Sequence, residues 1–351
     1  MILLGVNDRF NQKLSEELGI GFHELEYRYF ADSEIYARIK EDTAELKGTD
    51  VLLNVRDSSP PFRPMNIYLT AFFVAEKLAR EYGSRVFGLL PYMPFQRQDK
   101  RFKRGEVTSL LTARKALKQY MECIVSVSLH DFRQEGWRSE KDDFNGAPDE
   151  EREELCRFKF GMPLEEFEQV REDVLSHVFS IDPAHAIGRY LKGKGYGQMP
   201  VTALSPDLTA SDFVRTIADE IGATLYSIPK MRDRSTGDIR RDTDCWPSRD
   251  LIDGRVVMPI DDMFATGSTV KDITDYSRVH GAREVICVGT HAVLAEKRGS
   301  PCLKRMHDAG VDDVMATDTI VSLPVSRIEI ASEVASKLRE KVFPKYGVSL
   351  D

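Results

Sequence analysis

The sequence predicts an α/β fold of two related domains, each a mostly parallel sheet flanked by helices. Two observations carry this. Short β-branched runs alternate with amphipathic helical patterns, the rhythm of βαβ units. That rhythm occurs twice, before and after an acidic segment at residues 138–179. Strands are expected at residues 50–55, 86–91, 123–129, 200–204, 255–260 and 284–289, and helices at 67–82, 108–120, 210–221 and 270–280. The expected division is 1–137, an insertion at 138–179, 180–324, and a closing helix within 325–351 that packs back on the N-terminal domain.

A chain of 351 residues is long enough for two compact domains. No apolar run approaches the ~20 residues that span a bilayer. The first residues carry neither a basic leader nor a small-residue cleavage site. The five cysteines are scattered without a C-x-x-C pair, which points to reduced thiols in a cytoplasmic protein. Residues 138–179 hold thirteen acidic and six basic side chains, so most of the net charge of −8 is local. The remainder, 43 basic against 44 acidic, is close to neutral. Neither nucleic acid nor a membrane is the expected partner.

In parallel sheets, ligands gather beyond the carboxyl ends of the strands. Polar residues fall there: Arg97, Gln98 and Asp99 after one expected strand, His130 after the next, then Asp207, then Asp261 and Asp262. The last pair opens the most specific pattern, an apolar strand, two carboxylates and the turn Ala265-Thr266-Gly267-Ser268-Thr269 before a helix. Backbone N–H groups at a helix start bind anions, and the three hydroxyls add donors. Carboxylates one step before would accept from vicinal sugar hydroxyls. The motif reads as a pentose-phosphate clamp; the plainer alternative is an ordinary turn that caps a helix.

This loop resembles the phosphoribosyl pyrophosphate loop of the type I phosphoribosyltransferase fold. Phe30-Ala31-Asp32-Ser33-Glu34 resembles the nucleotide-contacting F-x-D-x-E stretch of ribose-phosphate pyrophosphokinases, and residues 91–101 resemble their P-Y-x-x-x-x-R-Q-D-R-K segment. Ser128-Leu129-His130 is similar to their D-L-H metal site, and Ser205-Pro206-Asp207 to their S-P-D. Lys230-Met231-Arg232 falls where that family has its catalytic Lys and Arg. The motifs arrive in family order and cover most of the chain outside residues 138–179.

The resemblance implies two phosphoribosyltransferase-type domains and Mg²⁺-dependent transfer of pyrophosphate from ATP to ribose 5-phosphate. Phe30, Asp32, Glu34, Arg97, Gln98 and Asp99 would hold ATP; His130 and Asp207, meeting in a cleft between domains, would hold the metal. Asp261, Asp262 and residues 265–269 would hold the sugar phosphate, and Lys230 and Arg232, in a mobile polar loop, the transferring phosphoryl oxygens. A homo-oligomer, dimer or hexamer, is expected on the same ground. The chain departs from the family pattern at Ser128, at Ala265 where an Asp is usual, after Asp207, and in the insertion. Two alternatives stay open: a larger 5-substituted acceptor such as ADP-ribose, and a catalytically silent regulatory homologue. A true phosphoribosyltransferase is disfavoured by the motifs on the ATP side.

Overall fold

In the computed structural model the chain divides into two compact units, residues 1–181 with 331–351, and residues 182–330. Described are residues 1–350 except 33, 41–42, 57–61, 102–104, 132–133, 139–147, 207–210, 229, 233–238, 242–245, 296–300 and 321–323.

The first unit holds β1 (Ile2–Gly5), α1 (Arg9–Leu18), β2 (Gly21–Tyr29), β3 (Ile35–Ile39), β4 (Val51–Asn54), α2 (Pro64–Glu81) and β5 (Val86–Leu89). It continues with α3 (Ser109–Lys118), β6 (Cys123–Val127), β7 (Gly136–Trp137), α4 (Asp149–Lys159), α5 (Leu164–Asp173) and β8 (Val178–Ile181). The sheet order is β3-β2-β1-β4-β5-β6-β8-β7. Its interior pairs are parallel; β2–β3 and β7–β8, at the two edges, are antiparallel. β4, β5 and β6 are buried at every residue, as expected of strands covered on both faces. Helix α2 begins on Pro64, whose missing N–H costs nothing in a first turn, and lays Ile67, Ala71, Val74 and Leu78 on the sheet.

The second unit holds α6 (Ala184–Gly193), β9 (Val201–Ser205), α7 (Ser211–Ile221), β10 (Thr224–Ser227) and the ribbon β11 (Lys230–Arg232) with β12 (Ile239–Arg241). Then come β13 (Val256–Phe264), α8 (Ser268–Val279), β14 (Glu284–Ala292), α9 (Cys302–Asp308), β15 (Asp313–Thr317) and β16 (Ser326–Ile328). Its main sheet runs β10-β9-β13-β14-β15-β16, parallel throughout. Helix α10 (Ala331–Lys337) then returns to the first unit, where Ser332 donates to Glu17 and Arg339 to the Glu17 carbonyl.

Three elements differ from the sequence expectation. The closing helix does not start at 325: residues 326–328 pair with β15 as an edge strand. The amphipathic pattern of residues 164–178 reads as one helix, but the helix stops at Asp173 and Val178 opens β8. The strand expected to end at 260 continues through both carboxylates to Phe264. Cys123, Cys156, Cys287 and Cys302 are buried thiols outside any disulfide. Burial pushes the Cys123 thiol up to about 12 and raises Cys287 and Cys302 too, so these are neutral core groups. Among the described residues, no helix is long and apolar enough to cross a membrane.

Candidate active site

In the first unit the candidate residues share the carboxyl edge of the sheet. Phe30, Asp32 and Glu34 lie between β2 and β3, tied by Phe30 N–H to the Glu34 carbonyl (2.9 Å) and Glu34 N–H to Asp32 Oδ1 (3.1 Å). Phe30 is 45% exposed although aromatic. Tyr36 meets it edge-on, and the Arg28 guanidinium lies over both rings. An open ring beside a cation is a platform on which a flat base can stack.

Arg97 and Gln98 are exposed on the segment after β5. The sheet order puts β5 three strands from β2, about 14 Å at the usual spacing, along the same edge. The Gln98 N–H donates to the Phe95 carbonyl, its own carbonyl accepts from Leu110 N–H, and its side chain accepts from Ser109 Oγ. The Asp99 carboxylate lies 3.8 Å from Lys100 Nζ.

His130 follows β6, half-buried, its backbone N–H held by Gln96 Oε1 at 2.8 Å. Gln96 is fully buried and thereby ties the segment after β5 to the loop after β6. Phe95 and Ser128 adopt positive φ (67° and 47°), left-handed backbone that non-glycine residues take only where surroundings enforce it.

Sequence reasoning missed the ion cluster beside His130. The Asp131 carboxylate takes both oxygens to Arg114 (2.6 and 2.9 Å) and also accepts from Arg138. Burial alone would raise this carboxyl; the two guanidiniums outweigh it and hold the group well below the usual carboxylate range.

In the second unit, β13 carries Asp261 and Asp262 near its carboxyl end. Because the strand continues past them, their side chains leave on opposite faces, Asp261 half-exposed and Asp262 buried. Asp261 Oδ1 accepts from Asp262 N–H at 2.9 Å. Residues 265–267 then turn into α8. Gly267 has φ 71°, and a Cβ there would lie 2.8 Å from Cys302 Sγ, so both backbone and space require glycine. The turn's carbonyls are engaged from behind: Ala265 O by Ala295 N–H (2.7 Å), Thr266 O by Arg305 (2.7 Å), Gly267 O by Lys271 N–H (2.9 Å). A glycine start brings no side-chain cap to α8, and a helix start of this kind suits an anion. Thr266 Oγ1 and Ser268 Oγ lie 3.3 Å apart over the same turn.

Lys230 and Arg232 lie on β11, in register with Arg241 and Ile239 of β12, a ladder where an irregular loop was expected. Asp207 lies outside the described residues. Among the described residues no three His, Cys, Asp or Glu side chains converge as a metal cage.

Residues 1–120 match the N-terminal domain of ribose phosphate pyrophosphokinase. The curated ribose-phosphate pyrophosphokinase of Sulfolobus acidocaldarius is 26% identical over 96% of this chain and 100% of its own length. That of Saccharolobus solfataricus is 28% identical over 91% and 93%. The fold matches the crystal structure of phosphoribosylpyrophosphate synthetase from Mycobacterium smegmatis, with TM-score 0.67 and 21% identity over 96% of this chain and 97% of that one. Residues 1–120 thus match the N-terminal domain of ribose phosphate pyrophosphokinase directly, and the chain aligns with curated ribose-phosphate pyrophosphokinases over nearly their whole length.

Proposed function

We propose that this protein transfers the pyrophosphoryl group of ATP to the anomeric hydroxyl of ribose 5-phosphate, giving 5-phosphoribosyl 1-pyrophosphate and AMP. The observation that carries the reading is the β13–α8 turn. Its carbonyls are engaged from behind, its helix start carries no side-chain cap, and two carboxylates precede it, a chemistry that suits a sugar phosphate and not a base. The relatives' names supply the reaction class.

In this reading the first unit takes the nucleotide. The Phe30 ring stacks on adenine, Asp32 and Glu34 accept from its amino group or ribose, and Arg97, Gln98 and Asp99 hold the phosphate end. The second unit takes the acceptor: residues 265–269 the 5-phosphate, Asp261 and Asp262 the hydroxyls. The anomeric oxygen attacks the β-phosphorus, the bond from that phosphorus to the bridging oxygen breaks, AMP leaves and the hydroxyl proton is released. Lys230 and Arg232 stabilise the charge that spreads over the transferring oxygens.

Magnesium favours oxygen ligands and keeps several waters, so it suits the triphosphate better than an imidazole. The described side chains do not form a cage of their own. The ion would come with ATP and neutralise phosphate charge, with His130 and Asp207 as the residues that would hold it.

The test is AMP release with ATP and Mg²⁺, with and without ribose 5-phosphate, and with ADP-ribose as a second acceptor. Acceptor-dependent AMP formation with ribose 5-phosphate is expected. Release that ignores the acceptor, or that needs ADP-ribose, overturns the reading.

A further inference from the structure

Helices α4 and α5 build a core of their own. Cys156, Phe160, Phe167, Val170 and Leu175 are buried together, with the Phe160 and Phe167 rings stacked at 4.4 Å, and Leu111 of α3 completes the cluster. This pair sits on the segment that follows β5. The Arg101 N–H donates to the Lys159 carbonyl at 3.0 Å, at the end of α4. The Arg101 guanidinium lies against Gly161, where a Cβ would fall on top of it, and Gly161 holds φ 74°. Arg101 Nε is buried there without a partner.

A second tie lies a few residues away. A void of about 10 Å³ is lined by Asp99, by Arg114, Asp131 and Arg138, and by Phe160 and Leu175 from the insertion. The three charged groups of the cluster are 1%, 7% and 5% exposed, so they are part of the packing and not of the surface. The insertion thus meets residues 97–101 at Asp99 and at Arg101. The described contacts run through a neutral carbonyl, a glycine and apolar side chains. Residue 98 is pinned from the other side by α3.

We propose that the α4–α5 insertion is a positioning element for the nucleotide segment, with Arg101 as its anchor on Gly161, and that it sets affinity for ATP and not for the acceptor. This rests on the functional reading above, which places residues 97–99 on the triphosphate. A segment already held in its binding conformation loses less freedom when the ligand arrives, so loosening it weakens nucleotide binding.

The experiment measures ATP dissociation constants by isothermal titration calorimetry on full-length wild type, Gly161→Ala, Arg101→Ala and the double variant. KM for ribose 5-phosphate and the thermal midpoint are measured alongside. Gly161→Ala is expected to weaken ATP binding about tenfold, leaving KM for ribose 5-phosphate within about twofold. In the Arg101→Ala background the same change is expected to lose the part of its effect that passes through that guanidinium and to keep only the strain of a Cβ in left-handed backbone. If Gly161→Ala does not fold, Gly161→Asn carries the same Cβ with a side chain that tolerates left-handed backbone. An unchanged ATP constant, equal losses for both substrates, or additive effects in the double variant each overturn the inference. Wild type that binds ATP without acceptor-dependent turnover refutes the functional reading alone; wild type that binds no ATP overturns both.

Discussion

Arg114 occupies a position that helix periodicity assigns to the core. Leu110, Ala113 and Leu117 share its stripe on α3, and all four are buried. A cation in such a stripe announces a buried partner, and that much was legible in the sequence. Its partner was not: Asp131 lies seventeen residues on, in a loop with no periodicity to aim it. Asp131→Ala takes the shared carboxylate from two buried guanidiniums, and is expected to cost roughly 3–5 kcal/mol in a urea titration; under 1 kcal/mol would contradict the burial. The residues proposed to act on the reacting phosphates make a different prediction. Lys230→Ala and Arg232→Ala are each expected to lower kcat by about 10²–10³ with little change in ATP affinity, as for loss of a contact made in the transition state. Near-normal kcat in both removes the assignment. Removing the acceptor's hydroxyl tests the carboxylates: 2-deoxyribose 5-phosphate is expected to have a much lower kcat/KM than ribose 5-phosphate. Equal values would take Asp261 and Asp262 out of the site.

At the scale of elements, the β13–α8 turn was the most legible part of the candidate site. Strand, acids, glycine and helix start are contiguous, so local chemistry alone marked them. What the sequence did not convey is what supports the turn, because Cys302, Arg305 and Ala295 come from a later stretch of chain. Gly267→Ala adds a Cβ both in left-handed backbone and against Cys302. It is expected to raise KM for ribose 5-phosphate at least about tenfold while ATP binding holds. A parallel loss of both would place the turn's role elsewhere. The C-terminal segment is read less easily, since its anchor is an aromatic cluster assembled from distant residues. Lys345 Nζ lies 3.7 Å from the Trp137 ring centre and also donates to the Ser176 carbonyl, fastening the chain's last turns to both ends of the insertion. Lys345→Met is expected to lower stability by about 1 kcal/mol, measured by chemical denaturation, and no change would mean the contact contributes nothing.

For the molecule as a whole, the doubled βαβ rhythm was legible because each central strand is a short apolar run between amphipathic helices. The edge elements escaped: β2 and β3 mix polar and apolar residues on a half-exposed hairpin, β7 has two residues, and β16 lay hidden in a helical pattern. The insertion was visible by charge, but its contacts, not its charge, bear on function. Its described packing lies on residues 97–101, on α3 and on the C-terminal segment. Resemblance to the family leads us to expect at least a dimer; light scattering that finds only fully active monomer at assay concentration would contradict that. The central claim is that the β- and γ-phosphates leave ATP together for the sugar. The direct measurement supplies ATP labelled at the β-phosphorus, with Mg²⁺ and ribose 5-phosphate, and asks where the label goes. The result expected is label on 5-phosphoribosyl 1-pyrophosphate, in equal amount to the AMP formed. Label that stays in ADP, or that appears as free pyrophosphate with the sugar unchanged, would contradict it.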